Sequence, residues 1–297
     1  MGKIKRTFGF IATHPISKRH VLKSLYRFLL WQLQTGFAPT RLFVKRFAGP
    51  VKFYARKGLT GVTGNIYAGL HDFNEMAFLL HFLREGDVFF DIGANVGSYT
   101  LLASGLSKVK SVALEPVSST FDLLVKNIAL NGLQDKVTAI HAAAGATQGS
   151  IYFTSGNDTT NHALAANETG EQATIEVKLT SIDSLTCSQI PRLAKIDVEG
   201  FETEVLRGMH QTLESKVLKA IIIELNGSGG RYGFDEKAIH QLLLDKQFNP
   251  YSYDPFTRVL SPLPSYGTHN TIYCRDLAFI NNRLQSARAI KIMGEVI

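Results

Sequence analysis

Cysteine is nearly absent. Cys187 and Cys274 are the two in 297 residues, so at most one disulfide can form and metal sites built on paired cysteines are excluded. A reducing compartment is the default expectation. No stretch approaches the roughly 18 uninterrupted apolar residues of a spanning helix. The opening MGKIKRTFGFIATHPISKRH also lacks the apolar centre of a secretory signal. A soluble or peripheral cytoplasmic protein is therefore expected. Internal repeats are missing as well, which sets solenoids aside. Negative charge is missing from one end: residues 1–60 hold 13 of the 32 Lys and Arg and none of the 25 Asp and Glu, although the formal net charge is only +7. Such a segment is attracted to phosphate, anionic lipid or an acidic partner, and the attraction falls with salt. What remains, 45% hydrophobic and 19% charged, is ordinary globular composition with chain enough for one large domain and a small addition.

From Lys18 to Leu33, the residues Leu22, Leu25, Tyr26, Leu29 and Leu33 recur at helical spacing, and Gly36 is placed to end the helix. Phe28, Leu30 and Trp31 widen the apolar face. The favoured reading docks this face on the chain's own core or on a second copy in a homodimer. The other lays it on the inner membrane surface, where Lys and Arg beside aromatics suit the headgroup boundary. Residues 42–67 mix Val, Phe and Tyr with Gly49, Pro50, Gly58, Gly61 and Gly64, a pattern of short strands and turns. Residues 1–70 thus read as a basic N-terminal extension, and residues 71–297 as the main domain.

Beyond residue 72 strand-like and helical patterns alternate. Helices are predicted over 74–83, 98–104, 120–130, 202–213 and 236–246. Strands are predicted over 88–92, 111–114, 137–141, 193–198 and 220–225, with strand-like pieces near 250–253, 258–260 and 271–274. Between residues 149 and 182 two strand-like pieces flank an Asn/Thr/Gly-rich loop too long for a plain connection. Strands alternating with helices imply an α/β fold with a parallel sheet covered on both faces, and such sheets bind ligands at the carboxyl ends of their strands.

The most informative segment is DVFFDIGANVGSYT, residues 87–100. An apolar strand reaches Asp91, Gly93 and Gly97 allow a tight bend, and a helix opens near Ser98 with N–H groups that favour negative charge. The spacing is neither the G-x-G-x-x-G of dinucleotide folds nor a P-loop, since no Gly-Lys-Ser/Thr follows. The second strand ends in Glu115, placed to accept both hydroxyls of a ribose. In LAKIDVEGFETEVLRG, Asp197 and Glu199 are two apart and leave the strand's carboxyl end on one side. Glu224 and Asn226 end the fifth strand. Paired acids there can orient a hydroxyl or take its proton. Asp197, Glu224 and Asn226 could serve as hard-oxygen ligands for magnesium, but no metal is expected.

These residues resemble the FkbM-type S-adenosylmethionine-dependent methyltransferases. The likeness rests on DIGANVGSYT, LEP at 114–116, NIALNG at 127–132, the T-x-I-D of Thr180 to Asp183, and above all KIDVEGFETEVLRG. It implies the class I methyltransferase (Rossmann-like) fold, a seven-stranded, mostly parallel sheet with a reversed last strand and helices on both faces. It further implies methyl transfer, usually to the oxygen of a sugar, glycan or natural-product acceptor. By matching positions, Asp91, Gly93, Asn95 and Gly97 would line the methionine side of the cofactor and Glu115 its ribose. HAAAG at 141–145, with Ala143, would lie near adenine, although Ala146 stands where the family commonly has an acid.

The candidates for taking the acceptor's proton are Asp197 and Glu199, with Glu224 behind them and His162 or His269 as outside choices. The polar loop around 157–167 and the strand start at His269 and Asn270 offer donors and acceptors that suit sugar hydroxyls. A nucleic-acid methyltransferase would carry an N-P-P-aromatic block or a cysteine nucleophile after the fourth strand, and neither is present. A membrane-surface glycan-binding protein without catalysis is the remaining alternative, opposed by the intact set of acids and glycines.

Overall fold

The computed structural model describes residues 2–154, 161–164, 174–186 and 189–297. Cys187 and most of the polar loop 157–167 lie outside them. The chain enters through helices α1 (Gly2–Thr13) and α2 (Val21–Phe37), then a hairpin of β1 (Phe43–Arg46) and β2 (Lys52–Ala55). Helices α3 (Thr60–Ala68) and α4 (Phe73–Phe82) lead into the alternating run β3 (Val88–Ile92), α5 (Ser98–Gly105), β4 (Lys110–Leu114), α6 (Ser118–Leu130) and β5 (Val137–Ile140). A side sheet follows, built from β6 (Ala143–Ala144), β7 (Gly149–Thr154) and β8 (Thr174–Thr180) in the order β6-β8-β7. After α7 (Ile182–Leu185) come β9 (Leu193–Ile196), α8 (Glu202–Arg207), α9 (His210–Glu214), β10 (Ala220–Glu224) and α10 (Glu236–Asp245). The chain closes with β11 (Asn249–Asp254), β12 (Val259–Pro262), β13 (Asn270–Cys274), α11 (Leu277–Gln285) and the short pair β14 (Lys291–Ile292) and β15 (Glu295–Val296).

The central sheet runs β12-β11-β13-β10-β9-β3-β4-β5. Strands β5, β4, β3, β9 and β10 are parallel, and β13 is antiparallel to both of its neighbours. Seven strands therefore reproduce the expected sheet with its reversed last strand. The eighth, β12, pairs with β11 at one edge. The chain winds outward from β3 to β5 and returns to place β9 on the other side of β3. This topological switch opens a crevice at the carboxyl ends of the two strands.

Strand alternation divides the interior into two layers. Phe89, Ala220 and Ile222 face α4, α5 and the N-terminal elements, in a cluster that also takes in Ile11, Phe28, Trp31 and Phe53. Phe90, Ile92, Ile221 and Ile223 face α8, α9 and α10, together with Leu206, Leu213 and Leu243.

Several local expectations are corrected. A helix not anticipated, α1, occupies the first residues. Helix α2 begins after a 3-10 turn at Ser17–Arg19 and runs through Gly36 to Phe37, ending just before Pro39. Only part of its expected apolar face docks: Phe28 and Trp31 are buried with Ser24 and Thr35, and Leu25 packs partly buried against the core, whereas Leu22, Tyr26, Leu29 and Leu33 are exposed. Where residues 42–67 promised only strands and turns, α3 forms. Burial of Val62 and Ile66 outweighs its poor glycine-rich propensity, and Asn65 fixes it by accepting from His71 N at 2.7 Å and donating to Ser98 Oγ at 3.1 Å. The helix predicted over 202–213 is broken at Gly208, where a Cβ would lie 2.0 Å from the Gly145 carbonyl oxygen. Strand β9 stops at Ile196, so Asp197 and Val198 belong to the turn beyond it.

Asp87 ties the layers together. Its carboxylate accepts from Arg84 N at 2.8 Å and Arg192 Nε at 3.3 Å, and also pairs with Arg283 of α11. Truncation leaves two guanidinium groups without their counter-charge. Asp87→Ala is expected to lower stability by about 3 kcal/mol in urea unfolding. A loss below about 1 kcal/mol would instead class these pairs with solvated surface bridges.

Candidate active site

The turn after β3 is shaped by how closely it passes β9. Gly93 has φ +82°, and a Cβ there would sit 1.8 Å from the Asp197 carbonyl oxygen, so only glycine fits. Gly93 N and Ala94 N both donate to Leu114 O, at 3.0 and 2.8 Å. Asn95, also at positive φ, caps its own turn by accepting from Val96 N at 2.8 Å. Gly97 forms the N-cap of α5. Asp91 is buried beneath this turn, and its Oδ2 accepts from Thr100 N at 2.9 Å and Thr100 Oγ1 at 2.5 Å. Burial pushes its carboxyl up to about 6, against the pull of those two bonds. One oxygen of Asp91 therefore pins the first turn of α5.

Glu115, at the end of β4, grips the neighbouring backbone with both oxygens. Oε2 accepts from Asn95 N at 3.0 Å and Oε1 from Val117 N at 2.9 Å. Burial raises its carboxyl to about 7, opposed by these two N–H groups. Each oxygen keeps a lone pair for a further donor. Beside it Val117, Ala143 and Phe153 pack into one small apolar cluster fed by the side sheet. The lining of the cavity includes Ala142, Ala143 and Ala144 but not Ala146.

Lys195 lies under the third group. It is 1% exposed, with its ammonium 2.9 Å from Asp197 Oδ2 and 5.4 Å from the centre of the Tyr99 ring. Burial opposes its charge, but the Asp197 carboxylate prevails and its pKa is raised. Carboxylate oxygens of Asp197, Glu199 and Glu224 fall within 4.8 Å of one another. Glu224 is pushed up to about 9, by burial first and then by the charge of Asp197. Glu199, at φ +54°, is raised to about 7 by burial and by Asp197. Glu202 fixes the turn that carries it, accepting from Val198 N at 3.1 Å and Gly200 N at 3.2 Å. Burial and mutual repulsion thus push both Glu199 and Glu224 toward their protonated forms beside Asp197. The oxygens of the cluster form a donor set that a hard divalent cation could also take.

A cavity of about 830 Å³ joins these groups. Of the residues singled out in the sequence, Asp91, Gly93, Asn95, Glu115, Ala143, Asp197, Glu199 and Glu224 line it, as does Asn270. Gly97 acts behind the wall. Asn226 is exposed and accepts from Ser228 N at 2.9 Å in its own turn, away from the carboxylates it was expected to join. His162 and His269 are not on the lining.

Sequence reasoning missed two parts of the site. Lys195 carried a signal: a lysine inside an apolar strand, two residues before an acid, has a counter-charge on its own face. The second part had none. Arg6, Phe10, Phe28, Trp31, Lys57 and Tyr67 close the cavity from the N-terminal segment, through contacts that exist only after folding.

Residues 91–250 match the family model for the methyltransferase FkbM domain. Among curated proteins, the hexuronic acid methyltransferase AglP of Haloferax volcanii is 30% identical over 177 residues, covering 58% of this chain and 67% of that protein. The methyltransferase sdnD of Sordaria araneosa is 26% identical over 192 residues, 54% of this chain and 72% of that protein. Among solved structures, an FkbM methyltransferase of Methylobacillus flagellatus KT superposes with a TM-score of 0.43 at 14% identity. The match covers 64% of this chain and 43% of that one's length. The chain belongs to the FkbM family and is an S-adenosylmethionine-dependent methyltransferase.

Proposed function

We propose that the enzyme methylates a hydroxyl of an anionic sugar or sugar-like natural product, with Asp197 accepting the hydroxyl proton. The observation that carries this reading is the gathering of Asp197, Glu199 and Glu224 over the buried Lys195, in the same cavity as Glu115. The residues present suit the cofactor: Glu115 has lone pairs free for ribose hydroxyls, and Val117, Ala143 and Phe153 offer an apolar slot for adenine. Bound S-adenosylmethionine supplies a sulfonium methyl open to in-line displacement, with a neutral thioether leaving. The chain's task is then to align the acceptor, exclude water and take one proton. Asp197 suits that role because it is 35% exposed and held in place by the Lys195 ammonium.

The acceptor's charge is inferred from the cations that the N-terminal segment adds to the cavity lining. Arg6 and Lys57 line the cavity, and among the described residues no carboxylate pairs with either. The name of the AglP relative, a hexuronic acid methyltransferase, supports the same class.

Four measurements test the reading. Calorimetric titration is expected to give S-adenosylmethionine and S-adenosylhomocysteine binding that Glu115→Ala weakens at least about tenfold, since both hydrogen-bond acceptors of its carboxyl are lost; no binding to folded wild-type protein would remove the cofactor assignment. Asp197→Asn should lower kcat about 100-fold or more. In wild type, kcat/KM should climb from pH 7 toward pH 9, because Glu224 keeps its proton up to about 9 and Asp197 becomes a freer acceptor once that proton leaves. Glu224→Gln should flatten the climb. Finally, the Arg6→Ala/Lys57→Ala double variant should raise KM roughly tenfold for a uronic-acid acceptor and leave a neutral hexose unaffected. An equal effect on both acceptors would argue against an anionic substrate.

A further inference from the structure

Helix α2 has two apolar faces, and only one is covered. Its inner side, Phe28, Trp31 and Thr35, lines the cavity. Its outer side carries Leu22 at 83% exposure, Tyr26 at 65%, Leu29 at 58%, Leu33 at 60% and Phe37 at 90%. Their spacing of three and four residues makes one straight row, about 22 Å long at 1.5 Å per residue. Phe8 of α1, 47% exposed, extends the patch, and its ring packs edge-on against Phe28 at 5.9 Å. Exposed rows this long and this apolar mark an interaction surface.

Charge selects the partner. The 13 Lys and Arg of residues 1–60 are unaccompanied by any acid, and the first acidic residue of the chain is Asp72. Lys5, Lys18, Arg41 and Arg46 are exposed in the elements that carry or flank α2. Glu295, which packs at the start of the helix, is paired with Arg19 and His20. A second copy docked face to face would bring two such acid-free segments together against their mutual repulsion. A surface that is apolar beneath and negative above meets both halves of the pattern: the row enters the acyl boundary while lysine and arginine heads stay among the phosphates. Among the described residues no helix is long and apolar enough to cross a membrane, so α2 would lie along the bilayer plane.

We propose that the outer row of α2 docks the protein on the surface of an anionic lipid bilayer, with the flanking cations contacting lipid phosphate. The proposal is independent of the methyl acceptor. Its test is flotation of the full chain with phosphatidylcholine vesicles, with and without phosphatidylglycerol. Wild type should float with the phosphatidylglycerol vesicles and progressively less as salt is raised. Leu29→Gln/Leu33→Gln should lower the partition coefficient roughly tenfold, and Lys5→Glu/Lys18→Glu should remove the preference for the anionic vesicles. All four positions are exposed, so S-adenosylhomocysteine binding should be unchanged and reports intact folding. Absence of flotation would overturn the proposal. So would flotation that ignores Leu29→Gln/Leu33→Gln, equal binding to both vesicle types, or a concentration-dependent dimer that this variant dissolves without affecting vesicle binding.

Discussion

A lysine ammonium buried in the middle of the sheet is the contact on which the site depends. Lys195 points from β9 into the space beneath Asp197, 2.9 Å from its carboxylate. Without that charge, Asp197, Glu199 and Glu224 would crowd three carboxyls within 4.8 Å in a half-buried place, an arrangement tolerated only when one is protonated or a cation stands near. Both remedies are represented here: Lys195 answers Asp197, and burial beside Asp197 pushes the Glu224 carboxyl toward its protonated form. The other turns are arranged around the same point. Gly93 passes against the Asp197 carbonyl, and Glu202 draws in the N–H groups of Val198 and Gly200 on the far side. Geometry and charge therefore converge on one short segment, residues 195–202.

The N-terminal segment shapes the other half of the cavity. Residues that lie before the stretch matching the family, 91–250, contribute Arg6, Trp31 and Lys57 to the wall. In the proposed reading, cofactor and proton chemistry fall to the sheet, and acceptor contacts to α1, α2 and the stretch after β2. This division gives a physical reason why related sheets can serve different acceptors: loops and added helices vary while the strand ends stay fixed.

The strands were easy to read because apolar runs of four or five residues between turn signals have few alternatives. Val88–Ile92 is bounded as its pattern predicts, and the acids at or just beyond the ends of β3, β4, β9 and β10 (Asp91, Glu115, Asp197 and Glu224) mark the carboxyl edge of the sheet. Ends were less legible. β9 stops two residues early, where Gly93 and Asp197 make their close approach, and α8 ends at Arg207, beside Gly208, whose carbonyl accepts from Asp183 N at 2.9 Å and whose missing Cβ leaves room for the Gly145 carbonyl. Helix α2 is ambiguous at a deeper level. Periodicity finds an apolar face but cannot tell which of two is covered, and with Phe28 and Trp31 on one side and Leu22 to Phe37 on the other, both satisfy the pattern.

Local patterns thus specified the alternating α/β scheme, the glycine turn after Asp91, the positions of Glu115 and Asp197, and the one-sided charge of residues 1–60, because each is written in neighbouring residues. Packing alone decided which carboxyls meet, that Lys195 lies under them while Asn226 turns away, and which face of α2 remains open. Those outcomes depend on contacts between segments far apart in the chain, such as Glu224 with Asp197 or Phe28 with Tyr67. No spacing within a single element encodes such contacts.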